Sequence, residues 1–191
     1  MRGQNRAVSG SETAGVVTVL PTDALRAPVR AAVIAVCNAA NDTDAFHELF
    51  DLIPSGGTHA LVYRGEDLVS HAVITTRWAQ PEGQPILRTG YFDAVATLPA
   101  EQGRGHASGA LRRLAVALEA WQIGCLQTDV PGFYERLGWE RWQGPLAGRG
   151  DDGLIPTPDQ TGVMIRRVPS TPPLDVAGLL TIEPQPKRIW E

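Results

Sequence analysis

The sequence predicts a single domain of the mixed α/β or α+β class, built on a mostly antiparallel sheet. Its 191 residues, of which 43% are hydrophobic and 20% charged, suffice for one hydrophobic core. Three extended segments follow one another across gaps too short for crossover helices, so we expect them to pair antiparallel. A helix with one apolar face comes next, and the predicted order of elements is β-α-α-β-β-β-α-β-α-β-β.

In the first half of the chain, β-branched runs predict strands and turn residues separate them. Thr22 or Asp23 is expected to cap the first helix, and Pro28 lies near its start, where a missing N–H is tolerated. Segment 86–97 is apolar on both faces, which predicts a central strand. The predicted elements are a flexible tail (1–15), a strand (16–20), a helix (24–39), a short helix (44–53) and three strands (58–63, 67–78 and 86–97).

In the second half, a long helix over 105–121 is the most regular element. Its apolar residues recur at spacings of three and four, namely Ala107, Leu111, Leu114, Leu118 and Trp121. Pro131 suits the first turn of a short helix over 131–137. The remaining predicted strands are 124–128, 139–143 and 163–168. Segment 144–162, rich in Gly, Pro and Asp, is expected to be a loop, and the chain from 169 a tail.

Composition and charge exclude several classes of protein. Seventeen Lys and Arg against 21 Asp and Glu give a net charge of −4, which disfavours a nucleic-acid partner. The apolar run 31–37 is too short to cross a bilayer, and residues 1–15 lack the apolar core of a secretory signal. Cys37 and Cys125 have no metal-binding spacing, and the four histidines lie on separate elements, so neither a disulfide nor a metal site is expected. We therefore expect a soluble, cytoplasmic protein without a membrane partner.

A glycine-rich turn lies between the predicted central strand and the long helix, with the sequence Gln102-Gly103-Arg104-Gly105-His106-Ala107. Two glycines let a backbone turn sharply, and the first turn of a helix presents N–H donors without partners. Together with the cation of Arg104, these groups predict a pyrophosphate-binding cradle. An ordinary strand-to-helix turn is the alternative interpretation.

Other phosphate-binding motifs fit this turn less well. It lacks the Gly-Lys-Ser/Thr of a P-loop. A Rossmann fingerprint follows the first strand of a parallel unit, whereas three antiparallel strands precede this turn. Asp129 lies at about the spacing of a ribose-binding acid, so spacing alone leaves a dinucleotide site open.

Two motifs in order point to a known family. The first is Gln102, Gly105 and Ala107 in the pattern Gln-x-x-Gly-x-Ala, and the second is Phe-Tyr-Glu-Arg-Leu-Gly-Trp at 133–139. They resemble the acetyl-CoA motif and a late motif of the GCN5-related N-acetyltransferase (GNAT) superfamily. The resemblance implies a mixed, mostly antiparallel twisted sheet of about seven strands with about four helices, splayed after the fourth strand. It also implies acetyl-CoA as co-substrate, acetyl transfer to a primary amine, and a homodimer.

Further segments narrow the resemblance. They are Gly-Tyr-Phe-Asp-Ala-Val-Ala at 90–96, Tyr134 with Gly138-Trp139, Gln-Gly-Pro at 143–145, Thr-Pro-Asp at 157–159, and Trp190. Together they are similar to aminoglycoside 2'-N-acetyltransferases. This similarity implies acetylation of the 2'-amino group of an aminoglycoside antibiotic, which confers resistance.

Asp93 is the candidate for handling the amine proton. It is a lone acid in an otherwise apolar strand, and a buried carboxylate must be hydrogen-bonded or functional. The resemblance implies a glutamate base at this position, and the shorter Asp93 favours a water relay or positioning of the ammonium. The alternative is that Asp93 pairs with Arg88 or His71 to satisfy the sheet.

Tyr134 is the candidate general acid. A phenol, with a pKa of about 10, can protonate a departing thiolate without being ionised at neutral pH. The alternative is a core aromatic that packs on Trp139.

The resemblance also assigns binding residues within a single domain over 16–191, whose C-terminal segment closes the acceptor site. The cofactor side is assigned to Val95, Ala96, Thr97, Gln102, Gly103, Arg104, Gly105, His106, Ala107 and Ser108. The predicted acceptor side comprises Asp42, Asp44, Asp93, Gln127, Asp159, Arg188 and Trp190. Of these, Asp42, Asp44 and Asp159 are included as acids available for ammonium groups, and Arg188 is included because the chain departs from the family there.

The C-terminal end departs from the similar family. Lys187 and Arg188 stand shortly before Trp190, where that family has an acidic residue. A guanidinium repels a polycation and can bind a carboxylate through two hydrogen bonds. We therefore expect an acceptor with few amines and an anionic group, for which kasugamycin, an aminocyclitol antibiotic with an imino-carboxylate, is the natural candidate.

Several alternatives stay open. Arg188 could point to solvent or stabilise the tail. The acceptor could be another small amine, such as a polyamine, or a peptide N-terminus. The domain could also bind acyl-CoA as a sensor or scaffold, without turnover.

Overall fold

The structure is a computed structural model that describes residues 15–53, 56–185 and 188–190. The predicted tail therefore lies, except for Gly15, outside the described residues, as does Lys187. The strands are β1 (Val16–Pro21), β2 (Thr58–Arg64), β3 (Asp67–Pro81), β4 (Leu87–Thr97), β5 (Ile123–Gln127), β6 (Glu140–Arg141), β7 (Leu146–Gly150), β8 (Gly153–Pro156), β9 (Val163–Arg167) and β10 (Leu180–Ile182). The α-helices are α1 (Ala27–Asn41), α2 (Leu49–Leu52), α3 (His106–Ala115) and α4 (Pro131–Glu135).

The strands form one mixed, mostly antiparallel sheet, which confirms the predicted fold class. Its main order is β6-β9-β5-β4-β3-β10-β7-β8. Only β4–β5 and β7–β10 pair parallel. The 15-residue β3 pairs with β4 along one edge, while its other edge takes first β2 and then β10. β1 extends the sheet beyond β2.

The first helix begins later than the sequence predicts. Residues Thr22–Ala24 form a short 3-10 turn, and α1 starts at Ala27 with Pro28 in its first turn. Neither Thr22 nor Asp23 caps the helix, because Arg26 takes the N-cap position without a side-chain bond. The guanidinium of Arg30 instead donates to the carbonyls of Thr22, at the start of the 3-10 turn, and of Leu25, just after it, which holds the chain entering α1. The long helix is shorter as well: α3 ends at Ala115 and continues as a 3-10 segment to residue 120.

The segments predicted to be loop and tail contain three more strands. β7 and β8 form a hairpin inside the predicted loop, and β10 lies in the predicted tail. The prediction was wrong here because these strands are short and glycine-rich or only three residues long. Their extended conformation depends on pairing between segments that are distant in sequence, such as β10 with β3.

The sheet splays open after its parallel centre. β4 runs to Thr97 and β5 to Gln127, yet the two strands pair only between Thr89–Tyr91 and Ile123–Cys125. α3 and α4 cover one face of the sheet, α1 covers part of the other, and the C-terminal segment around Trp190 covers the remainder. In the described ranges, no helix is both long and apolar enough to cross a membrane.

Candidate functional site

The glycine turn before α3 leaves its backbone exposed to a ligand. Gly103 and Gly105 have φ angles of 76° and 82°, in the left-handed region that favours glycine. A Cβ built on either glycine would meet nothing within 4 Å. The first amide of α3 that bonds within the helix is that of Gly109, which donates to the Gly105 carbonyl. The N–H groups of His106, Ala107 and Ser108 therefore have no partner inside the helix, as anion binding requires.

A buried carboxylate holds the side chains of this turn. Glu101 lies 2.7 Å from Arg64 Nη2, 3.6 Å from Arg104 Nε and 3.3 Å from His106 Nε2. The imidazole of His106 is itself buried, so only its backbone N–H is left to serve the predicted cofactor side. The Gln102 amide donates at 3.3 Å to the carbonyl that ends β4, which ties the turn to the strand.

β4 carries a bulge where the sheet splays. Ala94 has a φ of 46°, and the register with β3 shifts around it. The N–H of Ala94 donates to Asp93 Oδ1 at 2.7 Å. Beyond the bulge, Ala96 and Thr97 pair with β3 again, and the Ser70 hydroxyl donates to the Ala96 carbonyl at 2.7 Å.

A cavity of about 550 Å³ lies at the splayed ends of β4 and β5. It brings together five residues predicted for the site, namely Asp93, Gln127, Tyr134, Arg188 and Trp190, and Val95 of the cofactor side. Apolar side chains between α1 and the end of α2 form its opposite wall. Two smaller pockets adjoin it, one sharing Gln127 and the other sharing Arg188 and Trp190.

The acids predicted for the acceptor side do not all line the same cavity. Asp159 lines the smaller pocket next to Gln127, where Asp129 also lies. Asp42 and Asp44 do not line the cavity, whereas Asn41 and Ala45 on either side of them do. Asp129 is an acid of the site that the sequence analysis weighed only as a ribose ligand; its position at the end of β5 was the available signal.

Asp93 pairs with the cation of the C-terminal segment. Arg188 Nη1 lies 2.6 Å from Asp93 Oδ2, and the two side chains are 13% and 17% exposed. Arg188 Nε donates to Gln185 Oε1 at 2.9 Å, while Nη2 is buried without a hydrogen-bond partner. The alternatives left open for Asp93 are wrong, because Arg88 and His71 donate to backbone carbonyls instead. Arg188 points into the cavity and not to solvent, while its side-chain and backbone bonds with Gln185 also stabilise the C-terminal segment.

Tyr134 combines a packing role with a place in the cavity. Its ring meets Trp139 edge-on, with 6.1 Å between the ring centroids. Burial and, to a lesser extent, the negative charge of Asp93 raise the pKa of Tyr134 to about 12, against a hydrogen bond with Thr128 that lowers it. The phenol therefore stays protonated at neutral pH and retains a proton that it can donate.

Comparison with known proteins now decides the family. Residues 30–139, more than half of the chain, match the model of the acetyltransferase (GNAT) family. The chain belongs to this family. The matched residues include α1 from residue 30 onward, β4, the glycine turn and the motif around Tyr134.

Solved structures agree with this acetyltransferase fold at low sequence identity. The GNAT family N-acetyltransferase YhbS from Escherichia coli, in complex with CoA, is 15% identical with a TM-score of 0.57, over 88% of this chain and 89% of that one. Escherichia coli ElaA is 14% identical with a TM-score of 0.52, over 80% and 99%. Eis1 from Mycobacterium abscessus is 16% identical with a TM-score of 0.56, and the match covers 69% of this chain but only 32% of Eis1.

A buried arginine that the sequence analysis missed anchors the C-terminal segment of this acetyltransferase. Arg77 is fully buried and its Nη2 donates to the carbonyls of Glu183 and Ile189 at 2.5 and 2.7 Å. Its guanidinium stacks 4.7 Å from the ring centroid of Tyr91, whose hydroxyl donates to the Trp190 carbonyl. The available signal was a single arginine in a strand that holds no other Lys or Arg. This anchor holds the segment so that Arg188 reaches Asp93.

Two buried histidines form a hydrogen-bonded chain behind β4. Thr22 Oγ1 lies 2.9 Å from His59 Nε2, His59 Nδ1 lies 2.9 Å from His71 Nε2, and His71 Nδ1 lies 2.9 Å from the Ala94 carbonyl. Burial lowers the pKa of His59 to about 3, with smaller contributions from His71 and Arg30. Burial lowers the pKa of His71 to about 4, against raising effects of the Ala94 hydrogen bond and of Asp93. Both imidazoles are therefore neutral at physiological pH.

The two histidines make the stability of this acetyltransferase sensitive to acid. Below pH 6.5 the two histidines become protonated in the unfolded chain but stay neutral in the folded state. The free energy of unfolding therefore falls as the pH drops toward 4. The expected loss for each histidine is about 0.7 kcal/mol between pH 7 and 6 and approaches about 1.4 kcal/mol per pH unit below that. Denaturant unfolding at pH 7, 6 and 5 measures it, with His59→Leu expected to flatten the slope and the exposed His47→Leu to preserve it. A wild-type stability that does not change over this range would contradict the expectation.

The described residues contain no group of three His, Cys, Asp or Glu side chains placed to hold a metal ion. The glycine turn, in contrast, fits a phosphate: it offers open space beside two left-handed glycines and three helix N–H groups. The splay between β4 and β5 offers unpaired strand edges next to it. The arrangement thus suits a long ligand with a phosphate group at one end and a reactive group at the cavity.

Proposed function

We propose that this acetyltransferase moves the acetyl group of acetyl-CoA to the 2'-amino group of an aminoglycoside-type antibiotic that carries a carboxylate, with kasugamycin as the model acceptor. The observation that carries this proposal is the Asp93–Arg188 pair at the cavity wall. Such an acetylation would confer resistance to the antibiotic.

The glycine turn and the end of β4 are proposed to bind acetyl-CoA. The N–H groups at 103–108 suit the pyrophosphate, and the backbone from Val95 to Thr97, next to the splay, suits the pantetheine. The fold likeness to YhbS, which was solved in complex with CoA, supports this assignment. Acetyl-CoA supplies the activated acyl group as a thioester, and the chain supplies binding, orientation and proton transfer.

The acceptor is proposed to break the ion pair between Asp93 and Arg188 and to bind both side chains in its place. An acceptor with both an ammonium and a carboxylate can place its ammonium on Asp93 and its carboxylate on Arg188, so neither protein charge is left uncompensated. The unpartnered Nη2 of Arg188 supplies a further donor for a bidentate contact. An aminoglycoside with several ammonium groups and no anion would instead bring like charge against the guanidinium.

Asp93 and Tyr134 are proposed to handle the two protons. The nucleophile must be a neutral amine, and Asp93 holds the ammonium and receives its proton through a water molecule. Tyr134 stays protonated and donates its proton to the leaving sulfur. The N–H of Val95 is proposed to stabilise the negative charge that develops on the acyl oxygen.

A panel of acceptors tests the proposal through thiol release from acetyl-CoA. The panel contains kasugamycin, gentamicin-type aminoglycosides, a polyamine and a peptide with a free N-terminus. Turnover that is fastest with kasugamycin is expected. Acetylation of gentamicin-type compounds without turnover of kasugamycin would refute the carboxylate argument, and CoA binding without thiol release from any acceptor would favour a sensor.

Arg188→Ala is expected to weaken the binding of kasugamycin by about 1.5–3 kcal/mol, which is about 10- to 150-fold. The physical reason is the loss of a charge-assisted hydrogen bond to the acceptor's carboxylate. The control is Arg141→Ala, which removes an exposed arginine that pairs with Glu135 on the surface. Calorimetry with kasugamycin and with acetyl-CoA measures the effect. Equal weakening for both ligands would show that Arg188 supports the fold and not the acceptor.

The homodimer stays a prediction from the resemblance, and the cytoplasmic location stays a prediction from the composition. The oligomeric state can be measured by light scattering on the purified protein.

A further inference from the structure

The proposed reaction does not use the two buried histidines, His59 and His71. Their chain of hydrogen bonds leads to the bulge of β4. A carbonyl oxygen only accepts hydrogen bonds, so the His71 Nδ1 that faces Ala94 must carry a proton. A neutral imidazole has one N–H, so His71 Nε2 accepts and His59 Nδ1 donates to it. His59 Nε2 then carries no proton and faces the Thr22 hydroxyl, which also lies within donating distance of the Gly57 carbonyl at 3.0 Å. The chain of bonds therefore has one direction from His59 to the Ala94 carbonyl.

This chain supplies the bond that the sheet leaves out at the bulge. His71 pairs with Ala96 and Val73 pairs with Asp93, so residues 94 and 95 have no partner on β3. Ala94 also adopts a φ of 46°, which costs a non-glycine residue about 1–2 kcal/mol and persists only where its surroundings hold it. The His71 imidazole, fully buried and held by His59, binds its carbonyl at 2.9 Å, and the Cys37 thiol is a second, longer donor at 3.9 Å.

The orientation of this carbonyl determines the orientation of the next amide. The described peptide bonds include no cis bond, and in a trans peptide the carbonyl and the following N–H point in opposite directions. With the Ala94 carbonyl directed at His71, the N–H of Val95 points away from the histidine. Ala94 and Val95 both line the cavity.

We propose that His71 is a positioning residue, whose bond to the Ala94 carbonyl turns the Val95 N–H toward the acyl oxygen, and that His59 holds His71 in the tautomer this bond requires. The inference rests on the proposed use of the β4 amides for acetyl-CoA. It adds a role for His59 and His71, which lie on β2 and β3 and make no contact with the substrate in the proposed reaction.

The test compares His71→Leu with His71→Asn. Leucine removes the donor, whereas the asparagine side chain places an N–H close to the position of Nδ1. His71→Leu is expected to lower kcat by about 10- to 100-fold, because displacement of a group that stabilises developing charge has effects of this size. The KM for acetyl-CoA is expected to change less than threefold, since the glycine turn is a separate element. His71→Asn is expected to restore most of kcat, and His59→Leu to give a smaller loss than His71→Leu.

A second readout does not depend on an acceptor. In the wild-type protein, the NMR shift of the Val95 amide is expected to differ between the CoA and acetyl-CoA complexes, and in His71→Leu this difference should vanish. A folded His71→Leu with wild-type kcat and shifts, or a His71→Asn as impaired as His71→Leu, overturns the inference alone. Failure of the wild-type protein to bind acetyl-CoA overturns the proposed function and the inference with it.

Discussion

Replacement of Tyr134 by phenylalanine is expected to lower kcat for acetyl transfer by about 100-fold and to leave the affinity for acetyl-CoA within about twofold. The hydroxyl is removed while the ring, which packs on Trp139, stays. The proton that Tyr134 donates is needed only as the thiolate leaves, so the loss belongs to the transition state and not to binding. Steady-state kinetics and calorimetry together measure it.

The control for this substitution is Tyr63→Phe. Tyr63 lies on β2 against the α1 side of the sheet and does not line the cavity. Both variants lose one hydroxyl, and Tyr134→Phe also loses a hydrogen bond to Thr128, at a cost of about 0.5–1.5 kcal/mol in stability. Because the pKa of Tyr134 is about 12, its ionisation should not limit the wild-type rate between pH 7 and 10. Equal rates for Tyr134→Phe and wild type would exclude a proton donated by Tyr134.

The elements that the sequence predicted well are those whose signal is local. The three antiparallel strands before α3 follow from β-branched runs and short gaps, and the glycine turn follows from two glycines ahead of an amphipathic helix. The observed ends of the helices differ from the predicted ones by a few residues where tertiary contacts compete with local preference. Arg30, for example, bonds the carbonyls before α1, and Thr22 is engaged with His59 instead of capping the helix.

The parts that the sequence could not predict depend on pairing across long distances. β10 has three residues, and its strand conformation arises from insertion between β3 and β7. The same insertion brings the C-terminal segment over β3 and β4. Arg77 of β3 donates to the carbonyls of Glu183 and Ile189, and Tyr91 of β4 donates to that of Trp190. The partner of Asp93 follows from this path of the chain, so no local pattern around Asp93 could have identified Arg188.

The bulge of β4 is a further feature that no sequence pattern reveals. Ala94 is a non-glycine residue with a positive φ, and nothing in the run Phe-Asp-Ala-Val-Ala at 92–96 marks it. The side chains that bond to its carbonyl lie on other elements, namely His71 of β3, which His59 of β2 contacts, and Cys37 of α1. The sequence shows only that the histidines lie on separate elements. Their spacing along the chain does not reveal that two of them lie within hydrogen-bond distance of each other.

Replacement of Gly105 by valine is expected to weaken the binding of CoA by about 100-fold or more in a folded protein. Gly105 has a φ of 82°, and this conformation directs the first N–H groups of α3 to a common point. This left-handed conformation costs a β-branched residue about 1–2 kcal/mol more than it costs glycine. Its side chain would also enter the space beside the turn that is open in the structure and that a phosphate would need.

The matched control for this substitution is Gly83→Val in the turn between β3 and β4. Gly83 has a φ of 71° and, like Gly105, meets nothing within 4 Å of an added Cβ, so the two variants carry a similar conformational cost. Thermal unfolding should show similar losses of stability for both, whereas calorimetry with CoA should show a loss of affinity for Gly105→Val alone. Unchanged CoA affinity in a folded Gly105→Val would exclude the glycine turn as the phosphate site. Equal loss in both variants would trace the effect to stability, because Gly83 lies on a different turn from the proposed cradle.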